Sequence, residues 1–129
     1  MAATSGSMTE EQARQTWSNV EQIINQGDID KTVAGFDDNV VVRFADLPEM
    51  RGKDALTEFF KAVFAARKGY HINKTFKSVA NNIIGGLWEG EWIDAQSGKA
   101  MRERGAEFAK YADGRIIEWE GAFNAWEKK

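Results

Sequence analysis

Between Ile83 and Trp126 the chain carries three pairs of like charges spaced two residues apart: Glu89 and Glu91, then Arg102 and Arg104, then Glu118 and Glu120. A period of two marks one face of a β-strand, so three strands are expected here. Paired as an antiparallel meander, they place the arginine strand between the glutamate strands, with opposite charges meeting across both ladders. Subtraction fixes the other face: Trp88, Gly90 and Trp92 on the first strand, Glu103, Gly105 and Glu107 on the second, and Trp119, Gly121 and Phe123 on the third. Large aromatics beside glycines and two carboxylates describe a cavity wall better than a filled core. A slip of one residue would exchange the faces and turn Glu89, Glu91 and Arg104 inward.

The rest of the chain reads as helices followed by this sheet. Residues 1–8 are expected to form a disordered N-terminal segment, and residues 9–129 one domain. Thr9 with Glu10 and Glu11 opens a helix on which Ala13, Trp17, Val20 and Ile24 recur at helical spacing, and Gly27 ends it. Asp28 can cap a short second helix carrying Ile29, Val33 and Phe36, stopped by Asp37, Asp38 and Asn39. Val40–Phe44 is a compact β run. Asp46–Gly52 holds the chain's one proline and reads as a loop. Lys53–Lys68 forms a third helix, with Leu56, Phe59, Phe60, Val63 and Phe64 on one stripe. Strands are expected near 70–79, 83–94, 99–111 and 115–125, with turns at Asn81-Asn82, Ser97-Gly98 and Asp113-Gly114. The sum is an α+β fold with helices on one face of a mostly antiparallel sheet.

Composition narrows the function classes. The net charge is −3 and the basic residues are scattered, which argues against nucleic acid as a partner. With no cysteine there is no disulfide, thiol nucleophile or thiolate metal site, and with a single histidine and no close acidic cluster no metal site is expected. No run of about 18 apolar residues exists, and no basic segment leads an apolar one at the N-terminus, so neither a membrane partner nor a signal peptide is expected. The expected location is cytoplasmic. Five Trp and eight Phe are enough either to line a pocket or to fill a core.

Several motifs carry a family resemblance. They are Asn25-Gln26-Gly27-Asp28 with Phe36-Asp37-Asp38-Asn39-Val40-Val41, then Arg51-Gly52-Lys53-Asp54-Ala55-Leu56, then Asp113-Gly114-Arg115-Ile116-Ile117-Glu118-Trp119. Their order and spacing resemble the NTF2-like superfamily, and within it the SnoaL-like proteins, relatives of limonene epoxide hydrolases and ketosteroid isomerases. The resemblance covers residues 9–126 and implies a cone-shaped fold, three N-terminal helices packed on a curved sheet, and a homodimer made by the outer sheet face. The best-known catalytic sets do not carry over. The hydrolases' Arg-x-Asp falls on Trp88-Glu89-Gly90, and their second aspartate on Gly121. The isomerase base falls near Arg43, with Asp46 close by, and a dehydratase-like pair would need His71, the chain's single histidine.

Among candidate catalytic residues, Glu103 and Glu107 stand first, since a carboxylate facing an aromatic cavity is disfavoured in its charged form and moves toward a useful acid or base. They lie roughly 13 Å apart along a strand, too far for a tight dyad. Neutralisation by Arg43 or by hydroxyl and amide groups is the plain alternative. Arg43 either faces the pocket, where it would clamp developing negative charge, or sits on the surface near Asp46 or Glu49. His71 is a possible proton shuttle or an ordinary surface or core residue. Trp17, Phe60, Trp88, Trp92, Trp119 and Phe123 are the expected ligand wall. Gly90, Gly105 and Gly121 either remove volume for a ligand ring or mark bulges where the sheet curves. Phe108 and Ile116 are the expected apolar contacts of a dimer seam.

Two functions fit these residues. One is acid/base catalysis without a cofactor, of isomerase, cyclase, hydratase or lyase type, on a small apolar ring compound. The other is a non-catalytic ligand-binding or dimeric assembly domain.

Overall fold

The computed structural model describes residues 7–129. The first six residues of the expected disordered segment lie outside the described residues. Within that segment, the backbone N–H of Met8 donates to Asn82 Oδ1 at 2.7 Å, and its side chain packs against the core.

Helix α1 (Glu10–Asn25) opens on a capping box: Thr9 Oγ1 accepts from the Gln12 N–H, and Gln12 Oε1 accepts from the Thr9 N–H. Its buried face, Ala13, Trp17 and Ile24, lies toward the sheet. Gly27 takes a left-handed φ of +69° past the helix end, a conformation glycine adopts without steric penalty. Asp28 then caps α2 (Ile29–Ala34) by accepting from the Lys31 N–H. The helix ends before Phe36, which starts β1 (Phe36–Phe44) rather than completing a helical stripe. The expected loop contains a short strand, β2 (Met50–Arg51), paired with Val41 and Val42. Helix α3 (Lys53–Ala66) follows these two strands, so only two of the three helices precede the sheet. It is shorter than expected because Arg67 adopts extended backbone and runs straight into β3 (Arg67–Ala80).

Strands β4 (Ile83–Asp94), β5 (Ala100–Ala112) and β6 (Arg115–Glu127) complete one sheet of order β2-β1-β6-β5-β4-β3. All neighbours are antiparallel except β1 and β6, which run parallel. Asn81 and Asn82, and Asp113 and Gly114, have positive φ at both turn positions, as tight two-residue hairpins require. Register shifts interrupt β3 at two places and the β5–β6 ladder at Lys110/Tyr111. Such bulges bend long strands and give the sheet its curvature.

The first charged ladder forms as expected: Glu89 is opposite Arg104 and Glu91 opposite Arg102. The second does not. The Asp113-Gly114 turn sets a register in which Arg104 faces Asn124 and Arg102 faces Trp126, while Glu118 lies opposite Lys110 and near Arg43. Exposed pairs of this kind contribute about 0–1 kcal/mol each, so the ladder is a solvated surface more than a source of stability. Ile116 is a core residue at 4% exposure, not a seam contact, whereas Phe108 on the outer face is 53% exposed. Among the described residues, no helix is long and apolar enough to cross a membrane.

Candidate active site

The meander's inner face is the predicted one. Trp88 lies opposite Gly105, Gly90 opposite Glu103, and Glu107 between Gly86 and Gly121. Side chains from this face, from α3 and from the neighbouring strands line a cavity of about 70 Å³, several times what one water molecule requires. Phe44, Phe60, Trp88, Trp119 and Phe123 supply its apolar wall, and Arg67, Tyr70, Lys74, Glu103 and Glu107 its polar part. Phe44 stands edge-on between the two indoles, 6.1 Å from Trp88 and 4.6 Å from Trp119. The tryptophans therefore do not close the centre against each other.

Both glutamates are almost inaccessible, Glu103 at 2% and Glu107 at 1% exposure. Glu103 Oε1 accepts from Arg67 Nη1 at 2.8 Å, and its Oε2 accepts from Trp88 Nε1 at 2.9 Å and from the Tyr70 hydroxyl. Glu107 Oε2 accepts from Lys74 Nζ at 2.6 Å, and its Oε1 from Trp119 Nε1 at 3.0 Å. Every carboxylate oxygen thus meets a donor, as buried charge requires. Burial, reinforced by the Glu103 charge, pushes the Tyr70 phenol far above the ordinary tyrosine range and keeps it a donor. Tyr111, on the same strand as Glu107, is raised for like reasons, burial first and the Glu107 charge second.

The cations are held as firmly as the anions. Arg67 lies 3.9 Å over the Trp92 ring and 4.9 Å over Tyr70. Lys74 sits 4.4 Å from the Trp17 ring centroid. Its backbone N–H donates to Glu21 Oε2, and Asn25 brackets Ile72 through both its amide N–H and its carbonyl. These bonds from α1 cover the free edge of β3 and fix the strand that carries Tyr70 and Lys74.

Arg67, Tyr70 and Lys74 are absent from the expected site, although Tyr70-x-Ile72-x-Lys74-x-Phe76 has the two-residue period that places them inward. Register turns Lys74 inward, opposite Trp88, with Ile72 opposite Gly90, while Tyr70 and Arg67 reach the same cavity through their bonds to Glu103. Two expected catalytic residues lie elsewhere. Arg43 is exposed on the outer face, where its guanidinium donates to Glu49 at 2.8 Å and to Glu118 at 3.4 Å. His71 is exposed beside Glu91, because it falls between two inward positions of β3. Trp17 and Trp92 do not line the cavity but stack on its two cations, and Trp17 Nε1 has no hydrogen-bond partner among the described residues.

The glycines give room, but neighbouring side chains take it. A Cβ on Gly105 would lie 2.3 Å from Trp88 Cη2, and one on Gly90 2.7 Å from Glu103 Oε2. Gly105 therefore lets the Trp88 indole lie flat across β5 and reach Glu103. At Gly121 a Cβ would meet the Ala106 carbonyl at 2.3 Å, so that glycine marks a close approach of backbones.

The fold is a curved α+β sheet whose inner face lines a cavity with both aromatic and charged side chains. The chain belongs to the SnoaL-like domain family of the NTF2-like superfamily, whose pattern matches residues 19–119. Among solved structures it is similar to a proposed isomerase from Bacillus subtilis, with a TM-score of 0.78 and 20% identity over 91% of this chain and 90% of the other. It is also similar to SalBIII, an epoxide hydrolase/cyclase-like enzyme of pyran ring formation in the polyether salinomycin. That likeness has a TM-score of 0.82 and 14% identity over 94% of this chain and 100% of the other. At these identities both likenesses concern the fold. No curated protein matches the sequence significantly.

Proposed function

We propose that the protein is an acid/base enzyme, acting without a cofactor on a small, neutral and largely apolar ring compound that carries an oxygen function. The observation that carries this reading is the pair of buried glutamates, each opening on one aromatic-walled cavity. Two cations and two carboxylates balance inside it, which favours a neutral ligand over an ion. In this reading Glu107 takes and returns a proton at carbon or oxygen. The N–H groups of Arg67 not engaged by Glu103 steady the negative charge that develops on the ligand oxygen. The aromatic wall keeps water from competing. The likeness to a proposed isomerase and to an epoxide hydrolase/cyclase-like enzyme supports the same class of chemistry. The exposed Phe108 and Trp126 of the outer face fit a homodimer, checked by light scattering on the purified protein.

A second reading rests on a specific feature: every oxygen of Glu103 and Glu107 already accepts from a protein donor. In that case the carboxylates hold the cavity in shape, and the protein binds its ligand without turning it over. Deuterium incorporation from D2O separates the two. A panel of cyclic ketones and enones is incubated with the wild type and with Glu107→Gln, and exchange next to the carbonyl is followed by NMR. The enzyme reading expects catalysed exchange in the wild type and a loss of about 10²–10⁴-fold in the variant, the usual contribution of a positioned base. Equal exchange in both proteins removes Glu107 from the mechanism.

A further inference from the structure

Lys74 is a primary amine on the cavity wall, with only 4% of its side chain exposed. An ion pair that serves stability alone has no need to border a cavity, and a buried one is often no better than apolar side chains of similar volume. We propose that Lys74 is a covalent nucleophile that captures aldehydes and ketones as an iminium, a step that rests on reading this cavity as a small-molecule site. Three observations bear on it. Its Nζ is 2.6 Å from Glu107 Oε2, so the proton that must leave before the amine can attack has an immediate acceptor. The other glutamate oxygen is held by Trp119, which fixes the carboxylate on the lysine. The ammonium lies 4.4 Å from the Trp17 ring centroid and 5.8 Å from that of Trp88, whose indole belongs to the apolar wall that would receive a carbonyl compound.

The step balances without any outside reagent. Glu107 takes one proton from the ammonium, and the freed nitrogen lone pair forms the N–C bond while the carbonyl π pair moves to oxygen. That oxygen takes the second nitrogen proton. The proton held by Glu107 then goes to the same oxygen, the C–O bond breaks, and one water leaves. The product is a protonated imine beside a carboxylate again ionised. The carbon next to the iminium is then acidic, and Glu107 stands close enough to remove its proton.

The test is reductive trapping in the intact protein with cyclohexanone and cyanoborohydride, mapped by peptide mass spectrometry. The expected result is a secondary amine on Lys74 that forms roughly 10²-fold or more faster than on the exposed Lys99 and Lys128, in line with general-base assistance. Lys74→Arg, which keeps the charge beside Glu107, loses this adduct while its exposed lysines react as before, and Glu107→Gln forms it more slowly. Tryptophan fluorescence checks that both variants are folded. Labelling of Lys74 no faster than of Lys128 overturns the proposal. If the wild type still exchanges ketone protons in that case, acid/base chemistry at Glu107 stands without the covalent step. If it neither exchanges nor labels, both readings fall.

Discussion

Replacing Lys74 by methionine leaves the 1%-exposed Glu107 carboxylate without its cation. Breaking a buried pair from one side costs about 3–5 kcal/mol. Replacing Glu107 by leucine strands Lys74 in the same way, at a similar cost. In the double variant Lys74→Met/Glu107→Leu neither charge remains, and the methionine and leucine fill the space. What survives as a penalty is the Trp119 indole N–H, which loses Glu107 Oε1 as its acceptor, worth about 1–3 kcal/mol. The double variant is therefore expected to be more stable than either single one. A chain of this length shifts in Tm by about 3–6 °C per kcal/mol, so the single variants fall by about 9–30 °C. Urea unfolding followed by tryptophan fluorescence gives each stability, with unchanged m values as the sign that the fold is intact. A double variant that loses the sum of the single losses, or single variants that lose less than about 1 kcal/mol, would refute the buried pair.

Two more expectations follow from packing and from burial. Gly105→Ala would set a methyl within 2.3–2.6 Å of the Trp88 ring, so the indole must turn away from Glu103; overpacking of this kind costs about 1–3 kcal/mol. Its check is thermal unfolding together with the Trp88 indole resonance, and an unmoved resonance with wild-type Tm contradicts it. Tyr70 and Tyr111 are the chain's two tyrosines, and both are raised above the ordinary range near pH 10 by burial and then by a neighbouring glutamate. The unfolded chain then releases its phenolic protons first, so this stability is complete below about pH 10 and is lost as pH climbs toward the native values. Tyrosinate absorbance should appear only with alkaline unfolding, and the absorbance of both phenolates near pH 10 in the folded protein would show that neither ring is buried.

The inner face of β4, β5 and β6 was legible because two-residue periodicity sorts each strand into two sets of residues, and the set rich in tryptophan and glycine is the one that the observed register turns inward. Glu103, Glu107, Trp88 and Trp119 needed only that alternation. The pairing of charges across β5 and β6 was not legible, since the Asp113-Gly114 turn and the bulge at Lys110/Tyr111 set which residues are opposite, and spacing along each strand is silent on this. Besides the two tryptophans, the partners of the glutamates lie on β3, where bulges interrupt the ladder and Gly69 takes a φ of +63°. Arg67 is harder still, because it belongs to the helix-to-strand junction, where neither the 3.6 nor the 2 period applies. Arg43 shows the converse difficulty. At the end of the run Val40-Val41-Val42 its direction depends on register, and alternation with the buried Val42 and Phe44 turns it outward.

The most direct test of the central claim, that a small neutral molecule sits against Glu103 and Glu107, is indole N–H spectroscopy of the 15N-labelled protein during titration with cyclohexanone. Trp88 and Trp119 donate to the two glutamates, whereas Trp126 is 41% exposed on the outer face. The account predicts that the Trp88 and Trp119 resonances move and saturate while that of Trp126 stays in place. Movement of Trp126 alone, with Trp88 and Trp119 unaffected, would place the ligand on the outer sheet and contradict the site.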